Sequence, residues 1–127
     1  MYHQLFLQTL SQLFDQGTAT LVLEQGIIYF RSLQQDNNWR ISTPLFQGRG
    51  CIPSSVRSCV SSRGNLHWQK TGAYLQLENS THTLSLIDEM EIKKDNYLSF
   101  KKTLQDFLEL AQEWKEIFKN CSELKTY

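Results

Sequence analysis

The residues best equipped for covalent chemistry lie in the middle of the chain. Cys51 or Cys59 with His67 supplies the residue types of a thiolate nucleophile and its base, which must meet in space rather than in sequence. Neither cysteine sits in a nucleophile elbow, and no Gly-rich turn leads into a strong helix whose N–H groups would hold an oxyanion. Cys59 falls on the apolar side of a short helical pattern with Val56 and Val60, where a thiol behaves as a small hydrophobe. Asp88, Glu89 and Glu91 have the composition of an acid–base pair or a hard-cation site. They fall where a strand pattern runs out, and a solvated strand end accounts for them. His3, His67 and His82 are isolated, and no two His or Cys stand at ligand spacing beside carboxylates. Gly48-Arg49-Gly50 lacks the length and the Lys-Ser/Thr ending of a phosphate loop. The residue pattern implies no enzyme, no metal and no cofactor.

Composition narrows the remaining classes. A chain of 127 residues is about one domain long and can bury one core without staples. Thirteen basic and thirteen acidic residues give a net charge of zero, which argues against a surface built wholly for nucleic acid or anionic lipid. Between Asn37 and Leu77 there is no acidic residue, but Arg40, Arg49, Arg57, Arg63 and Lys70 are present. These alternate with Trp39, Phe46 and Trp68, the mixture that stacks bases and neutralises phosphates. The charges are spread through several elements rather than clustered, and no nucleic-acid module accompanies them, so pairing with the acidic remainder of the chain is the simpler reading. Three cysteines without a C-x-x-C make no disulfide framework and fit a reducing cytosol. The opening MYHQLFLQTL has no basic region and is not a signal peptide, and no stretch approaches the length of a membrane span. Asn79-Ser80-Thr81 and Asn120-Cys121-Ser122 are then chance glycosylation matches. A cytoplasmic location is expected.

The elements that position these residues follow from periodicity. Tyr2, Leu5, Phe6, Leu10, Leu13 and Phe14 recur at helical steps up to Gly17, a natural C-terminal cap. Residues 18–24 and 26–33 read as a β-hairpin turning at Gln25-Gly26, and 39–46 as a third strand with Pro44 near its end. A short, Ser-rich helix is expected over 54–63, then two strands over 73–78 and 82–87 joined at Asn79-Ser80. After Asp95-Asn96, the residues Tyr97, Phe100, Leu104, Phe107, Leu108, Ala111, Trp114, Ile117 and Phe118 mark a long amphipathic helix, with Lys102 and Asp106 paired on its polar side. Hairpins without obvious crossovers predict an α+β domain: a mostly antiparallel sheet with helices packed on it.

Apolar surface carries the functional expectation. Ile27-Ile28-Tyr29-Phe30 and Leu21-Val22-Leu23 are hydrophobic on both faces of their strands. The long helix covers one face. The other needs the first helix, a second subunit or a bound protein, because large exposed apolar patches mark interaction sites. A free sheet edge can also accept an added strand.

The order α-β-β-β-α-β-β-α resembles the class I type III secretion chaperones of the CesT and SycE kind. Ser42-Thr43-Pro44-Leu45-Phe46 is similar to the exit of that family's third strand, GAYLQLENSTHTLSLIDEME to its paired fourth and fifth strands, and YLSFKKTLQDFLELAQEWKEIF to its last helix. The resemblance covers nearly the whole chain and rests on pattern and order. It implies a bacterial cytoplasmic dimer that holds an extended segment of a secreted effector or gatekeeper protein, without ATP. By the same resemblance Val56, Cys59 and Val60 belong to a dimer contact, and Leu5, Phe6, Leu13, Val22, Ile27 and Tyr29 to the client-binding surface. The neutral charge and the short second helix leave a homodimer and a heterodimer with a related chaperone both open.

Overall fold

The computed structural model describes residues 3–33, 38–48, 73–78, 80–93 and 95–124. Helix α1 (His3–Gln16) is followed by strands β1 (Thr18–Leu23), β2 (Gly26–Ser32), β3 (Asn38–Gln47), β4 (Tyr74–Glu78) and β5 (Thr83–Glu91), and by helix α2 (Tyr97–Leu124). The fold is α+β, and every strand pairing is antiparallel. The short helix expected over 54–63, with Val56, Cys59 and Val60, lies outside the described residues, as do Cys51, His67 and Trp68.

Local chemistry sets the end of α1 and the start of α2. The α1 stripe that is buried runs Phe6, Thr9, Leu10, Leu13. Thr9 lies on it without penalty because its hydroxyl donates to the Leu5 carbonyl at 2.8 Å. Gly17 ends α1 at φ 77°, and its N–H donates to the Leu13 carbonyl at 2.9 Å; only a residue without Cβ takes that conformation freely. Asn96 caps α2, its side-chain oxygen accepting from the Ser99 N–H at 3.2 Å. The inner stripe of α2 is Phe100, Leu104, Phe107, Leu110, Ala111, Trp114 and Phe118, all buried.

The strand order is β1-β2-β3-β5-β4, so β5 inserts between β3 and β4. Burial explains the choice. β5 contributes Leu84, Leu86 and Ile87 as buried residues and occupies the interior of the sheet, whereas the five-residue β4 forms an edge. β5 also runs to Glu91, beyond the end expected at Ile87, because β3 reaches far enough to pair Asn38 with Glu91 and Ile41 with Asp88. Asp88, Glu89 and Glu91 are therefore ladder residues, not a frayed strand end.

Pro44 sits in a central strand, flanked by β2 and β5, and two devices make that tolerable. The Leu33 N–H donates to the Asn38 carbonyl, which fixes the alternation of bonded pairs and places Ile27 opposite Pro44 in a pair that lacks its N–H donor. The Thr43 hydroxyl donates to the Ile27 carbonyl instead, at 2.8 Å. The ladder with β5 is then reset by a bulge between Pro44 and Phe46, a usual place for strand proline.

Both helices pack on one face of the sheet, α1 on β1 and β2, α2 on β3. The inner face supplies Ala19, Leu21, Leu23, Ile28, Phe30, Trp39, Ile41, Leu84 and Leu86 to the core. The possibility that α1 covers the second face is thereby removed. At the far end of α2, Lys115 reaches the β1–β2 turn, where its ammonium donates to the Gln25 carbonyl; burial lowers its pKa. Gly26 in that turn has φ 151°, a conformation that residues with a Cβ rarely adopt, so the turn is built around a glycine.

Thr43→Val would keep the shape and strand the Ile27 carbonyl, costing about 1–3 kcal/mol in urea unfolding. Trp114→Ala would cost about 3–5 kcal/mol by the same measurement.

Candidate functional site

With both helices on the inner face, the opposite face of the sheet is open among the described residues. Three of the cross-strand rows that the register sets on it carry the apolar and charged residues of interest. The first is Val22–Ile27 on β1 and β2, continuing as Pro44–Ser85–Gln76. The second is Thr20–Tyr29–Ser42–Ile87–Tyr74, and the third is Thr18–Arg31–Arg40–Glu89. Alternation along each strand produces this face: while Leu21, Leu23, Ile28 and Phe30 point to the helices, their neighbours point away.

The apolar part of the face is concentrated on β1 and β2. Val22 is 65% exposed, Tyr29 46% and Ile27 36%, although the three are hydrophobic and adjacent. Beside them lies an open groove of about 320 Å³ lined by Tyr29, Arg31, Arg40, Ser42, Gln76 and Ile87 among others. Ile87 is buried but stands apart from the core under the helices, and it forms the apolar floor of the groove. The edge of β1 away from β2 has no partner strand among the described residues, and its sequence TATLVL has neither the Lys nor the Pro that proteins use to blunt an edge.

The six residues expected to hold a client do not form one surface. Val22, Ile27 and Tyr29 come together on the outer face. Leu5 is exposed but belongs to the helix layer, where it and Leu7 flank the buried stripe of α1 on opposite sides. Phe6 and Leu13, 1% and 0% exposed, are core residues between α1 and the sheet and are not available to a partner in this arrangement. Their spacing showed that they lie on the apolar stripe of α1; which side of the sheet that stripe covers was not written in it. The groove residues Arg31, Gln76 and Ile87 lie outside the sequence-based expectation, and Arg40 enters it only through the basic middle segment. The signal was present as the two-residue alternation Ile27, Tyr29, Arg31 along β2, but β4 and β5 had to be placed before it became a groove.

Electrostatics on this face are local. Arg40 forms an ion pair with Glu89 at 3.1 Å, and the Tyr74 hydroxyl donates to the same carboxylate oxygen at 3.3 Å. Two of the aromatics that suggested base stacking are committed elsewhere: Trp39 is buried with its ring 5.6 Å from Phe14, and Phe46 packs on Phe118 at 6.2 Å. On the inner face Asp88 lies opposite the buried Ile41, and burial raises its pKa to about 6, opposed by a backbone hydrogen bond. Near the start of both helices, Tyr97 OH lies 2.9 Å from His3 Nδ1. Among the described residues no group of three His, Cys, Asp or Glu is placed to hold a metal ion, and no helix is long and apolar enough to cross a membrane.

The fold as a whole is similar to that of proteins of known structure. The chain is similar to a chain of the ExsC–ExsE complex, with a TM-score of 0.66 at 15% identity, covering 91% of this chain and 92% of that one. The class I secretion-chaperone fold is the fold of this chain. A chain of the HopA1–SchA chaperone–effector complex matches with a TM-score of 0.62 at 14% identity, covering 91% and 94%. A chain of the ExoT–SpcS complex from Pseudomonas aeruginosa matches with a TM-score of 0.53 at 14% identity, covering 85% and 92%. No protein-family model and no curated protein sequence matches the chain.

Asp88 gives the fold a pH signature. Its folded pKa is raised from the ordinary aspartate value of 3.8 to about 6, so between the two the folded state holds more protons than the unfolded one. Thermal stability therefore falls as pH rises from about 4 through 6. Asp88→Asn is expected to remove that slope in melting curves.

Proposed function

We propose that this chain is a type III secretion chaperone that binds an extended segment of a secreted effector or gatekeeper protein and keeps it competent for export without ATP. The observation that carries the reading is the exposed Val22, Ile27 and Tyr29 beside an edge of β1 that no described strand pairs, on a fold shared with chains of solved partner complexes. An extended segment satisfies both features at once. Its backbone can add to the edge of β1, and alternate side chains can lie on the outer face. A globular partner would use the apolar face but leave the edge.

The chain works in this reading by binding alone, and it needs no cofactor. It acts in the bacterial cytoplasm as a dimer with itself or with a related chaperone, through a contact that includes Val56, Cys59 and Val60. Leu5 extends the client surface onto the helix layer. Phe6 and Leu13 support that surface from within by fixing α1 to the sheet, rather than touching the client. An adaptor or regulator of the same fold is separated from this reading by one fact, whether the bound protein is exported.

The test is co-expression with the N-terminal regions of secreted proteins encoded by neighbouring genes. A stable complex is expected, together with loss of export when the chain is deleted. Val22→Asp and Ile27→Asp should weaken the complex at least about tenfold. As exposed positions they should change unfolding free energy by no more than about 0.5 kcal/mol. Wild-type affinity in both variants, or a chain that binds no secreted segment, rules the reading out.

A further inference from the structure

The third row of the outer face is electrically incomplete. Arg31 on β2 stands directly opposite Arg40 on β3, and Arg40 directly opposite Glu89 on β5. Like charges placed directly across a ladder are unfavourable, and a sheet normally avoids or compensates them. The carboxylate in this row, Glu89, is already taken by Arg40 and by the Tyr74 hydroxyl. Arg31 is exposed, and none of the ion pairs among the described residues reaches it. The Arg40 Nε is buried, so the donors left for a partner are those of the exposed Arg31 guanidinium. These donors border the groove whose floor is Ile87, next to exposed Tyr29 and Ile27.

We infer that the Arg31–Arg40 pair is a specificity-determining contact for one acidic side chain of an extended peptide, whose apolar neighbours lie on Tyr29, Ile27 and Val22. The inference rests on the chaperone reading and deepens it, because it states which kind of segment is selected. A carboxylate fits the guanidinium fork with two parallel hydrogen bonds and relieves the repulsion between the arginines. Residues Arg31, Tyr29 and Ile27 are spaced two apart on β2. An acidic residue with apolar residues two and four positions away therefore matches them along an extended chain. A polyanion matches less well: two arginines face a single phosphate's worth of charge, and Glu89 and Glu78 on the same face repel a longer run.

The experiment uses the full chain, isotope-labelled for NMR, and two synthetic peptides of extended apolar-polar alternation. One carries a central Glu and the other the isosteric Gln. The Glu peptide is expected to shift the resonances of Arg31, Tyr29, Ser42 and Gln76 and to bind about tenfold tighter or more than the Gln peptide. That preference should vanish in Arg31→Gln, return in part in Arg31→Lys, and shrink with salt. Equal affinity for both peptides, or no shifts with either at about 1 mM, overturns the inference. So does a preference for a DNA oligonucleotide, or loss of self-association in Arg31→Gln, which would assign the row to nucleic acid or to a second copy. The same variant separates the two levels of the argument. If Arg31→Gln holds the secreted segment as tightly as the wild-type chain, the acidic contact is wrong and the chaperone reading stands; if the wild-type chain holds no such segment, both fall.

Discussion

The rings of Trp114 and Phe118 stack at 5.3 Å on the inner side of α2, and Phe118 meets Phe46 of β3 at 6.2 Å. Aromatic groups of this size bury more apolar area than any other side chain, so their seat decides where the long helix lies. Further along, Phe100 packs against Phe30 at 6.2 Å, which ties the start of α2 to β2 as its end is tied to β3. Once α2 is fixed along the inner face, α1 fits beside it over β1 and β2. Both described helices are then committed to one side, and among the described residues no helix covers the second face of the sheet.

That commitment leaves the other face of the sheet open among the described residues. A sheet face without a helix layer is left to water or to other protein. Most of the outer face is made safe by polar residues: Ser42, Gln76, Ser85, and the ion pair of Arg40 with Glu89. The exception is the patch on β1 and β2, where Val22, Ile27 and Tyr29 remain beside an unblunted edge. Supporting devices hold this hairpin in place from behind. Lys115 bonds the turn at Gln25, and Thr43 satisfies the Ile27 carbonyl that Pro44 cannot. A surface that captures an extended chain gains affinity when it is ordered in advance, since less entropy is lost on binding.

The same geometry separates two kinds of charge. Glu89 and Arg40 neutralise each other in the open, whereas Asp88, one residue earlier, points among apolar neighbours and is held toward its neutral form. Adjacent residues of one strand thus differ in chemistry because they face opposite layers. No run of carboxylates in a sequence reveals that difference without the strand that carries it.

The sequence by itself determined the elements and their hydrophobic sides. The α2 stripe, the α1 stripe ending at Gly17 and the hairpin around Gly26 were all legible, because helical and strand periodicities are local properties. It also marked β1 and β2 as apolar on both faces, which pointed to an unsatisfied surface. Tertiary structure decided which residues that surface contains. Phe6 and Leu13 went to the core and Val22, Ile27 and Tyr29 to the open face, because α1 packs on the same side as α2. Strand order was equally nonlocal: the insertion of β5 between β3 and β4 set Arg31, Arg40 and Glu89 in one row. Residues 31, 40 and 89 share no local pattern, and only pairing across three strands makes them neighbours.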